Sequence, residues 1–142
     1  MSPRLPREQL AGCCWLPRFS DKTRMLLAGE LPLSYRLALG SPLGVDGYFL
    51  KHFALMRGDL IRAVRAAKDD DALATWFLAQ PAVKEAGIAA WNDLAPKLGA
   101  KGHPGYVTFQ LVKFPLYPSL RGRRVNSIFE GIELDETAPS AE

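Results

Sequence analysis

The residues of this chain best equipped to hold a ligand are Arg18 and Lys22. Four positions apart, they share one side of a helix, and like charges at that spacing disfavour an isolated helix by about 0.2–0.5 kcal/mol. Asp21 is better placed to meet Arg18 or Arg24, three residues away on either side, than to neutralise Lys22. Three readings stay open: the stems cover core surface while the heads stay in water, a carboxylate from another segment pairs with them, or a bound anion sits between them. For an anion the chemistry is apt. A guanidinium grips a carboxylate or phosphate through parallel hydrogen bonds and an ammonium adds a compact charge, while the indole of Trp15, with Trp91 as a second candidate, supplies a flat apolar wall. Asn92 adds an amide beside Trp91, and Asp21, Tyr35 and His52 are acid-base candidates if the pocket belongs to an enzyme.

Other reactive types carry less. Asp69, Asp70 and Asp71 stand where a short helix bearing Leu73, Trp76 and Phe77 begins, a place where the helix dipole favours carboxylates, so capping is expected rather than metal binding. Cys13 and Cys14 are adjacent, without the spacing of a zinc or redox pair, and read as small buried apolar residues. Neither His52 nor His103 has a second histidine three or four residues away. The chain has no G-x-x-x-x-G-K-S/T phosphate loop, no G-x-G-x-x-G after a strand and no G-x-S-x-G elbow. Neither a metal nor a cofactor is expected.

What must position Arg18 and Lys22 is a helix from about Leu16 to Ala28. At about 100° per residue, Trp15, Leu16, Phe19, Thr23, Leu26 and Leu27 form an apolar arc, with Lys22 at its edge and Arg18 beside it. Gly29 is a natural stop, with Pro32 beyond. Residues 31–47, rich in proline and glycine, read as a long irregular connection of a kind that often carries function. Next come a helix over Tyr48–Met56 stopped by Gly58, and a helix capped by Asp59 with Leu60, Ile61, Val64 and Ala67 turned inward. After the short helix that follows Asp71, a longer one has Pro81 in its first turn and runs to Gly99. Val83, Ile88, Trp91, Leu94 and Leu98 are its apolar side, and Pro96 is a kink or an early end. Tyr106–Phe114 is ambiguous, since Val107, Phe109 and Leu111 alternate with Thr108 and Gln110 as in a strand. Such a strand would need an extended partner from residues 31–45 or from a second copy of the chain. One core is expected, holding Leu26, Phe53, Leu60, Ile61, Val64, Trp76, Phe77 and Trp91.

With 142 residues, 48% apolar and 23% charged, the chain has the size and balance of one globular domain over 1–142. The expected class is mostly α: a compact single-domain helical bundle with a long irregular connection and room for one short strand or hairpin. Residues 1–12 read as an N-terminal arm and 135–142 as a mobile acidic tail. No run nears the roughly 18 apolar residues of a membrane span, so no membrane partner is expected. The start lacks the apolar region of a secretory signal, which points to the cytoplasm. The net charge is +3, but residues 94–129 carry six basic and no acidic residues, and 130–142 carry five acids and no base. Blocks of opposite sign can neutralise each other or stay solvated, and nucleic acid is the poorer explanation.

Ser2-Pro3-Arg4, Arg7-Glu8, Leu10 and Gly12, followed by Leu16-Pro17-Arg18, Asp21-Lys22, Arg24, Leu27-Ala28-Gly29 and Leu31, resemble an uncharacterised family of small bacterial, mostly helical domains of unknown function. Trp91-Asn92 and the ending from Phe129 to Asp135-Glu136 resemble it more weakly, while the loop after Pro32 and Gly102–Arg123 depart from it. The resemblance implies a mostly helical cytoplasmic domain and brings no catalytic residues with it. The leading expectation is a module that binds a small anionic metabolite between the first helix and the 31–47 connection, with Arg18 and Lys22 mattering more for function than for folding. The alternatives are a helical interaction protein or homodimer that uses Tyr106–Phe114 and the run Phe114–Leu120, or an enzyme working in the same pocket.

Overall fold

The computed structural model describes residues 2–137. Among them a short antiparallel hairpin, β1 (Gln9–Leu10) with β2 (Cys13–Cys14), precedes eight helices. These are α1 (Leu16–Leu27), α2 (Leu33–Ala38), α3 (Val45–His52), α4 (Arg57–Ala66), α5 (Asp70–Leu78), α6 (Glu85–Leu94), α7 (Tyr106–Leu116) and α8 (Ile128–Thr137). The domain is mostly helical, as the sequence implies. No helix among the described residues is long and apolar enough to cross a membrane.

Helix α1 ends as its sequence dictates. Gly29 takes φ 73°, its N–H bonds the Leu26 carbonyl at 3.1 Å, and the next N–H, of Glu30, bonds Met25 at 2.8 Å. That pair of bonds closes the last turn, and glycine adopts the left-handed conformation without a Cβ penalty. Inside, Phe19 of α1, Phe49 of α3, its neighbour Phe53, Phe77 of α5 and Trp91 of α6 form an aromatic cluster. Phe49 is its hub, with ring centroids 5.0–5.8 Å from the other four. Such contacts add about 0.5–1.5 kcal/mol each beyond area burial. Of the expected core residues, Phe53, Leu60, Val64, Phe77 and Trp91 are buried, while Leu26, Ile61 and Trp76 are half-buried. A second, smaller cluster of Phe109, Leu120 and Val125 lies under α7.

Several boundaries differ from the sequence expectation. The 31–47 connection contains α2 and the first turn of α3, which starts at Val45 and stops at His52. Gly58 lies inside α4 because Asp59 is its third residue, not its cap, and its carboxylate accepts the Met56 N–H at 2.9 Å. Pro81 sits in the turn before α6, which gives way around Pro96 to a 3-10 turn, Ala95–Lys97. The ambiguity over Tyr106–Phe114 resolves to helix. In a strand Val107, Phe109 and Leu111 would share a face. On α7, Phe109 turns inward at 2% exposure while Val107 and Leu111 stand 69% and 72% exposed. The hairpin occurs at residues 9–14 instead. Pro3 and Pro6 of the expected N-terminal arm are buried. Asp135, Glu136 and Thr137 of the expected tail complete α8. The remainder of that tail, 138–142, lies outside the described residues.

Candidate functional site

Arg18 and Lys22 project from the inner side of α1 and are almost fully buried, at 2% and 5% exposure. The Lys22 ammonium donates to both oxygens of Asp46, at 3.0 and 2.9 Å. The same carboxylate accepts the Trp15 indole N–H at 2.8 Å and the Gly40 backbone N–H at 2.9 Å. Gly40 has φ 74°, and a Cβ there would lie 2.6 Å from Cδ of Arg57, so the donor is a position that only glycine fills without displacement. Burial pushes the Lys22 pKa below its ordinary value despite the opposing pull of Asp46.

Arg18 is held by Glu136 of α8 through two parallel bonds of 2.9 and 2.5 Å, and it also donates to the Arg4 carbonyl at 3.3 Å. Its Nε has no hydrogen-bond partner among the described residues. Burial works against the guanidinium charge, but the bonds and charge of Glu136 outweigh it and raise the pKa. Tyr35 donates to the same Glu136 at 3.2 Å. Burial raises the Tyr35 hydroxyl and, beside it, pushes Tyr117 up to about 12.

Trp15 anchors this arrangement at a backbone cost. It precedes α1 with φ 72° and ψ −28°, a left-handed conformation that costs a residue with a Cβ about 1–2 kcal/mol. The Asp46 bond, a stacking contact with Phe129 at 5.5 Å and an N–H bond to the Pro6 carbonyl at 3.0 Å hold it there. Local strain sustained by its surroundings is common where side chains must be aimed.

Beside these groups lies a cavity of about 130 Å³ between α1, α2, the start of α3, α7 and α8. Trp15, Arg18, Lys22, Tyr35, Asp46, Thr108 and Tyr117 form its polar part, and Leu43, Val45, Val112, Leu116 and Ile132 belong to its apolar wall. Four of the expected site residues are therefore brought together. The other three are not. Asp21 faces away and binds Arg4 at 2.9 Å, in a cluster completed by Arg24 and Asp70. Trp91 is fully buried and donates to the Cys14 carbonyl at 3.0 Å. Asn92 clamps the hairpin, accepting from the Cys14 N–H at 2.9 Å and donating to the Gly12 carbonyl at 2.8 Å.

The remaining candidates have structural partners. A His52 ring nitrogen lies 2.7 Å from the Gly87 carbonyl, and His52 is not part of the cavity wall. Asp69 caps α5 by accepting the Ala72 N–H at 2.8 Å, while Asp70 turns to Arg4 and Arg24. Burial raises both thiols, Cys14 up to about 11 and Cys13 further, which removes thiolate character at neutral pH. Among the described residues no carboxylate of α8 forms an ion pair with residues 94–129, although Asp135 accepts from Ser119. Glu133 and Glu136 of that helix pair with Arg7 and Arg18 instead.

Asp46, Glu136 and Tyr117 are the site residues that sequence reasoning missed. One signal was present: Asp46 is the only acidic residue between Glu30 and Asp59, inside an otherwise apolar, glycine-rich stretch. No curated protein matches the chain. A family model described as "Domain of unknown function (DUF5069)" matches residues 1–138. The hairpin, α1 with its two buried cations, and the Asp46 and Glu136 that answer them all fall within that match, and the chain belongs to this family.

Proposed function

We propose that the chain is a small-molecule-binding domain whose cavity takes a compact ligand with an apolar body and one anionic end. The support for this reading is the make-up of the wall. Most of its side chains are apolar; its polar groups are Trp15, Tyr35, Thr108, Tyr117 and three ionised side chains, of which Arg18 and Lys22 are cationic and Asp46 is anionic. Glu136, which balances Arg18, is not part of the wall.

Because each cation already has a carboxylate, an inorganic anion meets partly satisfied donors and gains little. Apolar contact must supply the rest, at about 25 cal/mol per Å² of surface removed from water. The size of the space sets the body. An apolar cavity of roughly 150 Å³ accepts benzene, so a benzene-sized or short branched group fits a volume of about 130 Å³.

The test is protection against thermal unfolding by acetate, hexanoate and benzoate at matched ionic strength, on the parent and on Val112→Trp, which fills the cavity without touching the ion pairs. A ligand that binds only the folded state raises its stability by mass action. Benzoate and hexanoate are expected to protect the parent more than acetate, and to lose that advantage in the variant. Equal protection of both proteins, or acetate protecting as well as benzoate, overturns the reading.

A further inference from the structure

We propose that α2, α7 and the basic segment after α7 form a peripheral docking surface for an anionic lipid bilayer. It rests on the exposed surface of these helices, which shares only Leu43 and Leu116 of its apolar residues with the cavity wall. Helix α7 leaves Val107, Leu111 and Leu116 exposed at 69%, 72% and 56%, and the α2 region leaves Leu33, Leu37 and Leu43 exposed at 62%, 77% and 68%. Isolated exposed leucines are ordinary, but these occupy two elements that border the same cavity. Large exposed apolar surface concentrated in one region marks an interaction site.

The charges carried by these segments are of one sign, with Asp135 of α8, bonded to Ser119, as the acidic neighbour of the Pro118–Leu120 turn. Residues 31–45 contain Arg36 and no acid, and 94–129 contain Lys97, Lys101, Lys113, Arg121, Arg123 and Arg124 and no acid. Among the described residues only Lys97 of these has a carboxylate partner, Asp93 at 3.3 Å. The turn Pro118–Leu120 packs against α7 and delivers Arg121–Arg124, all exposed, beside it.

This combination selects the partner. A second copy docked about a two-fold axis would bring like charges together, which disfavours self-association. Single-stranded nucleic acid is held by aromatic stacking, whereas the exposed groups here are aliphatic. An anionic bilayer answers both features, with aliphatic side chains entering the acyl boundary and Lys and Arg meeting headgroup phosphates. A surface helix needs no membrane-spanning length, so the short α7 suffices.

The experiment is flotation of the full chain with vesicles of phosphatidylcholine alone or with 30 mol% phosphatidylglycerol. Binding to the anionic vesicles is expected, falling at least tenfold in Leu37→Glu/Leu111→Glu and in Arg121→Gln/Arg123→Gln, and falling again in 0.5 M salt. All four positions are exposed, and unchanged melting temperatures verify that the variants fold. The cavity-filling Val112→Trp should float like the parent, which separates this proposal from the ligand reading. Absence of parent binding to anionic vesicles, or equal binding to neutral ones, overturns it. So does a dimer dissociated by Leu111→Glu without vesicle binding, or salt-sensitive RNA binding in place of vesicle binding.

Discussion

On one side of α1, Asp21 and Arg24 join Arg4 and Asp70 in a cluster whose side chains are 20–38% exposed. On the other side, Arg18 and Lys22 meet Glu136 and Asp46 with side chains only 1–12% exposed. The residue types are alike, yet the two sets do different work. Water and salt compete for the outer cluster, and such pairs are worth about 0–1 kcal/mol each. The inner pairs have surrendered their hydration, so their net gain over apolar packing is small while the loss from removing one partner is large. What they supply is position. Asp46 ties the α2–α3 segment to α1 through Lys22, Trp15 and Gly40, and Glu136 ties α8 to α1 through Arg18 and Tyr35.

The largest expected effect therefore comes from breaking one inner pair. Lys22→Met should destabilise the protein by about 3–5 kcal/mol in denaturant unfolding, because Asp46 would be left charged and buried. Adding Asp46→Asn should return part of that loss by removing the buried charge, although the single amide oxygen replaces only one of the two acceptor oxygens used by Trp15 and Gly40. A single-variant cost below about 1 kcal/mol would erase the distinction between the two sides. This expectation reverses the sequence-based one, in which both cations mattered more for function than for folding.

How far the sequence reaches is visible in the same residues. Helix α1, its stop at Gly29, the placement of Lys22 and Arg18 by its apolar arc and the pairing of Asp21 with Arg24 all follow from spacings within about a turn. Asp46 and Glu136 lie 24 and 118 residues from their partners, and no local rule pairs them. Helix α7 was obscured for a related reason. Its two outward apolar residues flank an inward one, which mimics strand alternation, and only the packing of Phe109 against Leu120 and Val125 decides the period. Trp91 and Asn92 are legible as a helix pair but not as a clamp, since their partners Cys14 and Gly12 belong to a hairpin too short to show periodicity.

That clamp offers an intermediate test, because its contacts are neutral. Asn92→Ala leaves the Cys14 N–H, on a buried residue, without its acceptor and the Gly12 carbonyl without its donor. A buried polar group stripped of its partner costs about 1–3 kcal/mol. The loss should show in denaturant unfolding as less than that of Lys22→Met, and be indifferent to salt. A cost equal to that of Lys22→Met would mean that burial of the charge adds nothing.

The smallest effect should come from the outer cluster, where its dependence on conditions is the sharper readout. Asp70→Asn removes one carboxylate, but Arg4 and Arg24 both keep Asp21. The expected loss is at most about 1 kcal/mol at low ionic strength, and less in 0.5 M salt. Its pH dependence has a definite sign. Hydrogen bonds from Arg4 hold the Asp70 carboxyl below its ordinary value of 3.8, so its contribution is present above that value and is lost as pH falls through the lowered one. Parent and Asp70→Asn stabilities should therefore converge in acid, while the deficit of Lys22→Met near neutral pH should respond little to salt because Asp46 is only 2% exposed. A loss for Asp70→Asn as large as that for Lys22→Met, and unmoved by 0.5 M salt, would show that exposure does not separate the two sides of α1.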